Sequence, residues 1–422
     1  MLTVFRRPEV SIVALAIAVR VIPVLLVPRF HTPLTFEYEG IANGILGGDG
    51  FRFSHLGLEY SSMRPVFVYL CALVYWLTGH SHVAMLIVQA VISGATAGVT
   101  YTLGLHLGGP RVAALAGLLT AVEPALVYYD VTRIHPVGLH ALLLSVVVLV
   151  FLLAARSPSA RVLLATGLAV GLAFLERGTP AVFAAMGFGL LAYWHRWSLA
   201  RTWRAGLLVG VGTIAVVAPW TIRNYVVYGR PVLAMTAGPE LLWIGNNPHA
   251  TGTTTTEAGQ TMFDAAPADF RAQVLAADEM AQQQLFSEQF RAFVFENPGR
   301  VLVLYLKKLR MFWWFGPQEG REHPRWASLM YRPIYAVWLF SAVCGFVVGL
   351  RSPRARNFVL FAAFLAAVSM TQSVAFVEGR HRTAVVPVLL VVSAYALVDL
   401  ASRRRPSTVP AGELTRDSRT TP

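Results

Sequence analysis

The chain has two cysteines in 422 residues, 14% charged residues and only 22 acidic ones. Two cysteines build neither a disulfide framework nor a four-thiolate zinc site. Cys71 and Cys344 both lie inside apolar stretches, where they read as small core residues, and no disulfide is expected. The sequence also lacks a Walker A loop, a Rossmann fingerprint, an HExxH motif and a CxxC pair. Nucleotide-sugar donors are therefore disfavoured, and no site for cytosolic chemistry is visible. Tandem repeats, a strand-rich block and a polar segment large enough for a separate soluble domain are missing as well. What is present is apolar: 55% of residues are hydrophobic and the mean hydropathy is +0.56. Runs of about twenty apolar residues, the length that crosses roughly 30 Å of hydrocarbon, recur along the chain.

The net charge of +13 comes from Arg-dominated basic residues in short loops between these runs. That distribution reports membrane topology and argues against nucleic acid as a partner. Uninterrupted apolar runs predict ten spans, near 9–29, 83–105, 112–129, 137–155, 162–176, 179–194, 205–220, 333–350, 358–377 and 383–400. Arg6 and Arg7 followed by an apolar run resemble a signal anchor, which makes the first run transmembrane helix 1. Threading the spans in order puts Arg6/Arg7, Arg111, Arg156/Arg161, Arg196/Arg201/Arg204, Arg351/Arg354/Arg356 and Arg403/Arg404/Arg405 on one side, the cytoplasmic one.

Two further apolar segments, 65–78 and 299–316, are read as interfacial helices. The first is short. The second carries Lys307, Lys308 and Arg310 at its middle, and each central charge costs roughly 2.5–3.5 kcal/mol to insert. The expected organisation is then an N-terminal transmembrane module (1–220) containing a first external loop (30–82), an external segment (221–332), C-terminal transmembrane helices (333–401) and a disordered cytoplasmic tail (402–422). The polar stretch 249–290 is expected to be a loop leading into an amphipathic helix that covers the membrane domain.

In TFEYEGIANGILGGDGF of the first external loop, Tyr38, Ile41, Ala42, Ile45 and Leu46 follow the spacing of one apolar helix face. Glu37 and Glu39 flank that stripe on opposite edges, and helical spacing does not choose between them. A solvated juxtamembrane face accounts for both; a general base that activates a hydroxyl has the same requirement for an acid at the membrane surface.

This stretch, followed by RPVFVYLCALVYWLTG, resembles the first external loop of GT-C membrane glycosyltransferases, which include protein O-mannosyltransferases and lipid A aminoarabinose transferases. The resemblance continues through GLAFLERGTP at 171–180, APWTIRNYVVYGRPV at 218–232, ELLWIGNNPHATG at 240–252 and GRHRTAVVPVLL at 379–390. It implies an all-α polytopic membrane protein with a GT-C-type fold, about ten transmembrane helices and external juxtamembrane helices. It further implies a polyprenyl-phosphate sugar donor, a lipid, glycan or protein acceptor, and an active site on the external face of an inner or cytoplasmic membrane.

By position, Glu37 takes the general-base role with Glu39 in reserve; many relatives carry an Asp a few residues earlier, where this chain reads HTPLTF. The basic residue before a Pro-Pro pair corresponds to Arg64, the basic residue ending the fifth helix to Arg177, and the Arg-x-Arg before the last helix to Arg380 and Arg382. These are the expected donor-phosphate ligands, since guanidinium forks bind phosphate oxygens and stay protonated. Snorkelling arginines at the interface are the bland alternative, most of all for Arg382. Arg223 of the IRNY motif is a further donor contact, while Asn224, Asn246 and Asn247 read as caps and turns. The turn between the third and fourth spans offers Glu123, Asp130 and His135. Asp130 either orients the acceptor, joins a metal with Glu37, or is a helix-end acid satisfied by Arg133. No cofactor is assigned; a divalent metal is compatible with such a site, although arginines suffice without one. The rival readings are a lipid-linked sugar flippase, and an O-antigen-ligase-like glycan transferase that would use Arg321 and His323.

Overall fold

A computed structural model describes residues 7–55, 57–316 and 324–403. Arg321 and His323, the basic residues Arg6, Arg404 and Arg405, and nearly all of the expected tail lie outside the described residues. The chain is built from helices α1 (Pro8–Leu26), α2 (Glu37–Gly47), α3 (Pro65–Thr78), α4 (His82–Gly108), α5 (Pro110–Ala121), α6 (Pro124–Thr132), α7 (Val137–Arg156), α8 (Ala160–Glu176), α9 (Pro180–Trp194) and α10 (Leu199–Tyr228). After these come α11 (Gly238–Gly245), α12 (Ala268–Ala276), α13 (Glu279–Glu296), α14 (Pro298–Trp313), α15 (Arg325–Leu350), α16 (Ala355–Gln372), α17 (Gly379–Thr383) and α18 (Val386–Arg403). Among the described residues the only strands are a small antiparallel pair, β1 (Phe53–His55) and β2 (Leu58–Tyr60).

Each of the ten expected spans is helical over most of its length, and among the described residues eight stretches are long and apolar enough to cross a membrane by length and composition. Of the other two, α8 has 17 residues and α9 has 15, below the usual spanning length. The third expected span is two helices. Pro124 cannot supply an N–H to the preceding turn, so α5 stops at Ala121 and α6 restarts behind Glu123, whose carboxylate caps Leu126 N–H at 2.5 Å. The last span likewise begins later than its apolar run suggests, because 379–383 folds into the separate turn α17. The two segments read as interfacial, 65–78 and 299–316, are helices α3 and α14.

The helix expected from the stripe in the first external loop is α2, and Tyr38, Ile41 and Ala42 are buried in it as the spacing requires. They pack with Phe67, Val68, Cys71 and Tyr75 of α3. Fully burying a side chain such as Ile41 or Phe67 stabilises this pairing by about 1.5–3 kcal/mol each. Leu46 departs from the pattern and is 42% exposed, because the helix ends one residue later in the left-handed Gly48. The polar stretch after 249 forms a loop and then α12 and α13. Phe270, Val274 and Phe286 of these helices close over Trp243 of α11 and over Leu58 and Tyr60 of β2.

Candidate active site

The cavity that holds the first-loop acids has a volume of about 730 Å³ and is lined by, among others, Glu37, Tyr38, Glu39, Arg64, His135, Glu240 and Arg380. Short-range features of the chain bring these groups together. Leu34, just before α2, pairs with the chain after α6: its N–H donates to Thr132 O at 2.9 Å, and Ile134 N–H donates to Leu34 O at 3.0 Å. That bridge lays His135 edge-on against Phe36 and Tyr38, at 5.2 and 6.0 Å between ring centres. Glu37 is the first residue of α2, where a carboxylate is favoured by the helix dipole. It is half-buried and, among the described residues, has no hydrogen-bond partner. Glu240, Leu241 and Ile244 of α11 also line the cavity, and Gly245 ends that helix against the chain backbone, where a Cβ would lie 1.8 Å from Ala375 O. Only glycine permits that approach.

Arg64 precedes Pro65 at the start of α3 and donates from Nη1 to Tyr38 Oη at 2.8 Å, while its Nε is buried without an acceptor. Arg177, the residue that ends α8, donates to Gln372 Oε1 at 3.2 Å. Arg380, in the first turn of α17, is ion-paired with Glu378, which also accepts the Thr254 hydroxyl at 2.5 Å. These three arginines come from sites far apart in the chain; Arg64 and Arg380 both line the cavity, and the charges of both act on Arg177. Burial, and then the charges of Arg64 and Arg380, push the Arg177 guanidinium down to about 9. His135, buried at the same place, is held well below its usual range by burial and by Arg380, Arg177, Arg64 and Arg133, so its imidazole is neutral at pH 7. Tyr38 is pushed up to about 12 by burial and remains a neutral phenol, with Arg64 acting in the opposite direction.

Glu39 reaches a different environment from Glu37. It is 8% exposed and its Oε1 receives Tyr75 Oη at 3.0 Å and His82 Nε2 at 2.6 Å. Burial raises its pKa, but hydrogen bonds from Thr35, His82 and Tyr75 outweigh that and hold it below the usual carboxylate range. Asp130 lies inside the bundle, away from the cavity lining. Its Oδ2 accepts Arg20 Nε at 2.6 Å and Ser93 Oγ at 2.5 Å, so its partner is Arg20 rather than Arg133, and it does not line the cavity with Glu37. Arg223 is spent on the first external loop. It donates to Ser61 O and to Asn224 Oδ1 and lies over the Trp220 ring at 4.9 Å. Arg382 sits outside the cavity on the other side of α17, over the Phe315 ring at 4.1 Å. There it edges a second, mostly apolar cavity of about 300 Å³ that also takes in Tyr128, Trp326 and Tyr331. Asn247 caps and turns as expected, donating to Trp243 O at 3.0 Å and accepting His249 N–H at 2.8 Å.

Sequence reasoning missed two members of the cavity. Tyr38 counted only as an apolar-stripe residue. Glu240, in the ELLWIG motif, accepts Tyr60 Oη at 2.8 and 2.9 Å on its two oxygens. Burial pushes it up to about 7, against the hydrogen bonds from Tyr60 and Gln283. The position of Glu240 in the first turn of α11 was the available signal.

Helices α2 and α3 border a cavity lined by Arg64 and Arg380 within a helical bundle, an arrangement that matches a GT-C-type fold. Comparison with known proteins agrees. Residues 62–222 match the family described as dolichyl-phosphate-mannose-protein mannosyltransferase. ArnT from Cupriavidus metallidurans, solved bound to undecaprenyl phosphate, superposes with a TM-score of 0.57 at 15% identity, covering 93% of this chain and 60% of that one. The oligosaccharyltransferase AglB from Archaeoglobus fulgidus, solved with an inhibitory peptide and a dolichol-phosphate, gives a TM-score of 0.54 at 13% identity over 94% of this chain and 50% of that one. No curated protein sequence matches this one. The resemblance to the GT-C superfamily is thus borne out, as is the all-α polytopic fold, and the chain spans between half and about 60% of the length of these two relatives.

Proposed function

We propose that the protein transfers a sugar from a polyprenyl-phosphate carrier to a hydroxyl of a lipid, glycan or protein acceptor, with inversion at the anomeric carbon. The observation that carries this reading is that Arg64 and Arg380, whose charges also act on the buried Arg177, line the same cavity as the unpartnered carboxylate of Glu37. The three guanidinium groups take the donor phosphate, with the otherwise orphaned Arg64 Nε as one of its donors. The acceptor oxygen attacks the anomeric carbon as the bond from that carbon to the phosphate oxygen breaks. The bonding pair leaves with the polyprenyl phosphate, and the hydroxyl proton passes to Glu37. Charge on the departing phosphate grows along this path, so cations fixed in a water-poor cavity stabilise the transition state more than the bound donor. His135, held neutral, adds no competing positive charge and serves as a wall and hydrogen-bonding group.

The apolar cavity beyond α17 suits the isoprenoid chain. Arg380 faces the polar cavity and Arg382 edges the apolar one, so α17 separates headgroup from tail. The active site is on the external side of the membrane in this reading. Helix α7 starts at Val137, two residues after His135 at the cavity, and ends at Arg156, and its 20 residues span about 30 Å. The basic clusters that mark the cytoplasmic face therefore lie across the bilayer from the cavity. The experiment is a transfer assay with purified protein and a panel of radiolabelled polyprenyl-phosphate sugars. At least one donor is expected to yield labelled acceptor with the opposite anomeric configuration. A retained configuration excludes single displacement, and donor translocation without transfer to any acceptor overturns the reading in favour of a flippase.

A further inference from the structure

On the side of α2 away from Glu37, Glu39 meets two histidines from the turn that joins α3 to α4. His82 Nε2 lies 2.6 Å and His80 Nε2 3.1 Å from the same oxygen, Glu39 Oε1. One ligand atom from each of the three residues falls within 4.8 Å of the others. The chain makes a special turn to achieve this. Gly79 ends α3 with φ +66, and His80 follows in the same left-handed region at φ +66, a conformation that side-chain-bearing residues adopt at a cost. Ser81 then caps α4 by accepting Ala84 N–H at 3.2 Å, which makes His82 the first residue of the helix. The His80 ring lies 4.2 Å from that of Tyr75, whose hydroxyl donates to Glu39 Oε1. Both imidazoles reach solvent, at 43% and 29% side-chain exposure, while the Glu39 side chain is 11% exposed.

We propose that Glu39, His80 and His82 form a binding site for one zinc-class divalent ion that ties helix α2 to the α3–α4 turn. Two imidazoles and one carboxylate are a borderline N2O donor set suited to zinc, with an open position for water. Tetrahedral bonds of about 2.0–2.1 Å place donor atoms roughly 3.3 Å apart. To admit the ion, the contacts at 2.6 and 3.1 Å need to open by about 0.7 and 0.2 Å. As hydrogen bonds alone the arrangement crowds three donors, from Tyr75, His80 and His82, onto a single oxygen. With the ion in place both Nε2 lone pairs and that oxygen converge on the metal, and Tyr75 orients the carboxylate as metal-site neighbours commonly do. The site fixes the edge of α2 opposite Glu37 and goes beyond the transfer reaction. It stands whether or not the glycosyl-transfer reading holds.

The test uses full-length protein in detergent, with any polyhistidine tag removed and stripped with a chelator, then titrated with zinc chloride against a chromophoric competitor. One zinc per chain is expected, with a rise in melting temperature on binding. His80→Gly is the decisive variant. Glycine accepts φ +66 without strain, so this protein folds at least as well as the parent in chelator; it should nevertheless bind zinc at least ~100-fold more weakly and lose the melting shift. Tyr75→Phe should weaken binding about tenfold. Sub-stoichiometric zinc on the parent, or equal zinc affinity and equal melting shift in His80→Gly, overturns the site and leaves a hydrogen-bonded Glu–His cluster.

Discussion

Two arginine–carboxylate groupings occupy one bundle in opposite surroundings. Arg20 and Asp130 are both 1% exposed and bound to each other. Arg20 Nη1 also donates to Ala16 O and Ala121 O at 2.9 and 2.8 Å, and Ser93 supports the carboxylate. Around the cavity, by contrast, Arg64 and Glu37 are not paired with each other and both line open volume; buried atoms without a partner occur in both groupings, Arg20 Nη2 and Asp130 Oδ1 in one and Arg64 Nε in the other. A charge pair closed on itself at membrane depth joins helices; cations and an acid arranged around a space are prepared for a ligand. The residue types are the same, and the surroundings separate structure from chemistry.

Paired substitutions in the two groupings are expected to break the protein in different ways. Glu37→Gln should cut sugar transfer by about 10²–10⁴-fold at parental expression and melting temperature, because the amide keeps the shape but takes no proton. Asp130→Ala should leave transfer per folded molecule near the parental value while destabilising the protein by about 3–5 kcal/mol, since Arg20 is left buried and unpaired. Activity normalised to folded protein, read alongside thermal melting, separates the two. A large catalytic loss in folded Asp130→Ala protein collapses the distinction.

Within the cavity, Tyr38→Phe removes the acceptor of Arg64 Nη1 without changing ring volume. Donor affinity should fall about tenfold, the cost of one misplaced charge-assisted hydrogen bond. An unchanged dissociation constant shows that Tyr38 does not orient Arg64.

The smallest effect concerns Glu240. Its carboxyl is raised from 4.5 to about 7 in the folded protein, so between those pH values the folded state holds a proton that the unfolded chain has released. The unfolded state binds fewer protons there, and stability falls as pH rises through the window. The melting temperature of Glu240→Gln should therefore decline less than that of the parent between pH 4.5 and about 7. Parallel curves for the two proteins remove Glu240 from the account.

Much of this was legible in the sequence because apolar length and helical spacing are local properties. Every one of the ten apolar runs is helical over most of its length, the third as two helices, and α2, α3 and α14 stand where the spacing put them. The resemblance carried by their motifs pointed to Arg64, Arg177, Arg223, Arg380 and Arg382 as donor-phosphate ligands, and of these Arg64 and Arg380 line the cavity. What stayed hidden was the choice of partner. Arg20 and Asp130 are 110 positions apart, and the nearer Arg133 was the natural guess from the sequence. Glu37 and Glu39 lie on opposite edges of one stripe, and only the histidines of the α3–α4 turn distinguish them. Arg382 shares its motif with Arg380, but the two side chains fall on opposite sides of a five-residue helix.

In the proposed reaction the arginines around the cavity are the receptor for a lipid-linked phosphate. Equilibrium binding of undecaprenyl phosphate to the purified protein, with uncharged undecaprenol as the control, tests it most directly. The parent should prefer the phosphate strongly over the alcohol. The Arg64→Ala/Arg177→Ala variant, with a near-parental melting temperature, should lose at least ~100-fold in phosphate affinity while its weak affinity for the alcohol is unchanged. Equal affinity for the two lipids in the parent, or undiminished phosphate binding in the folded double variant, would contradict the account.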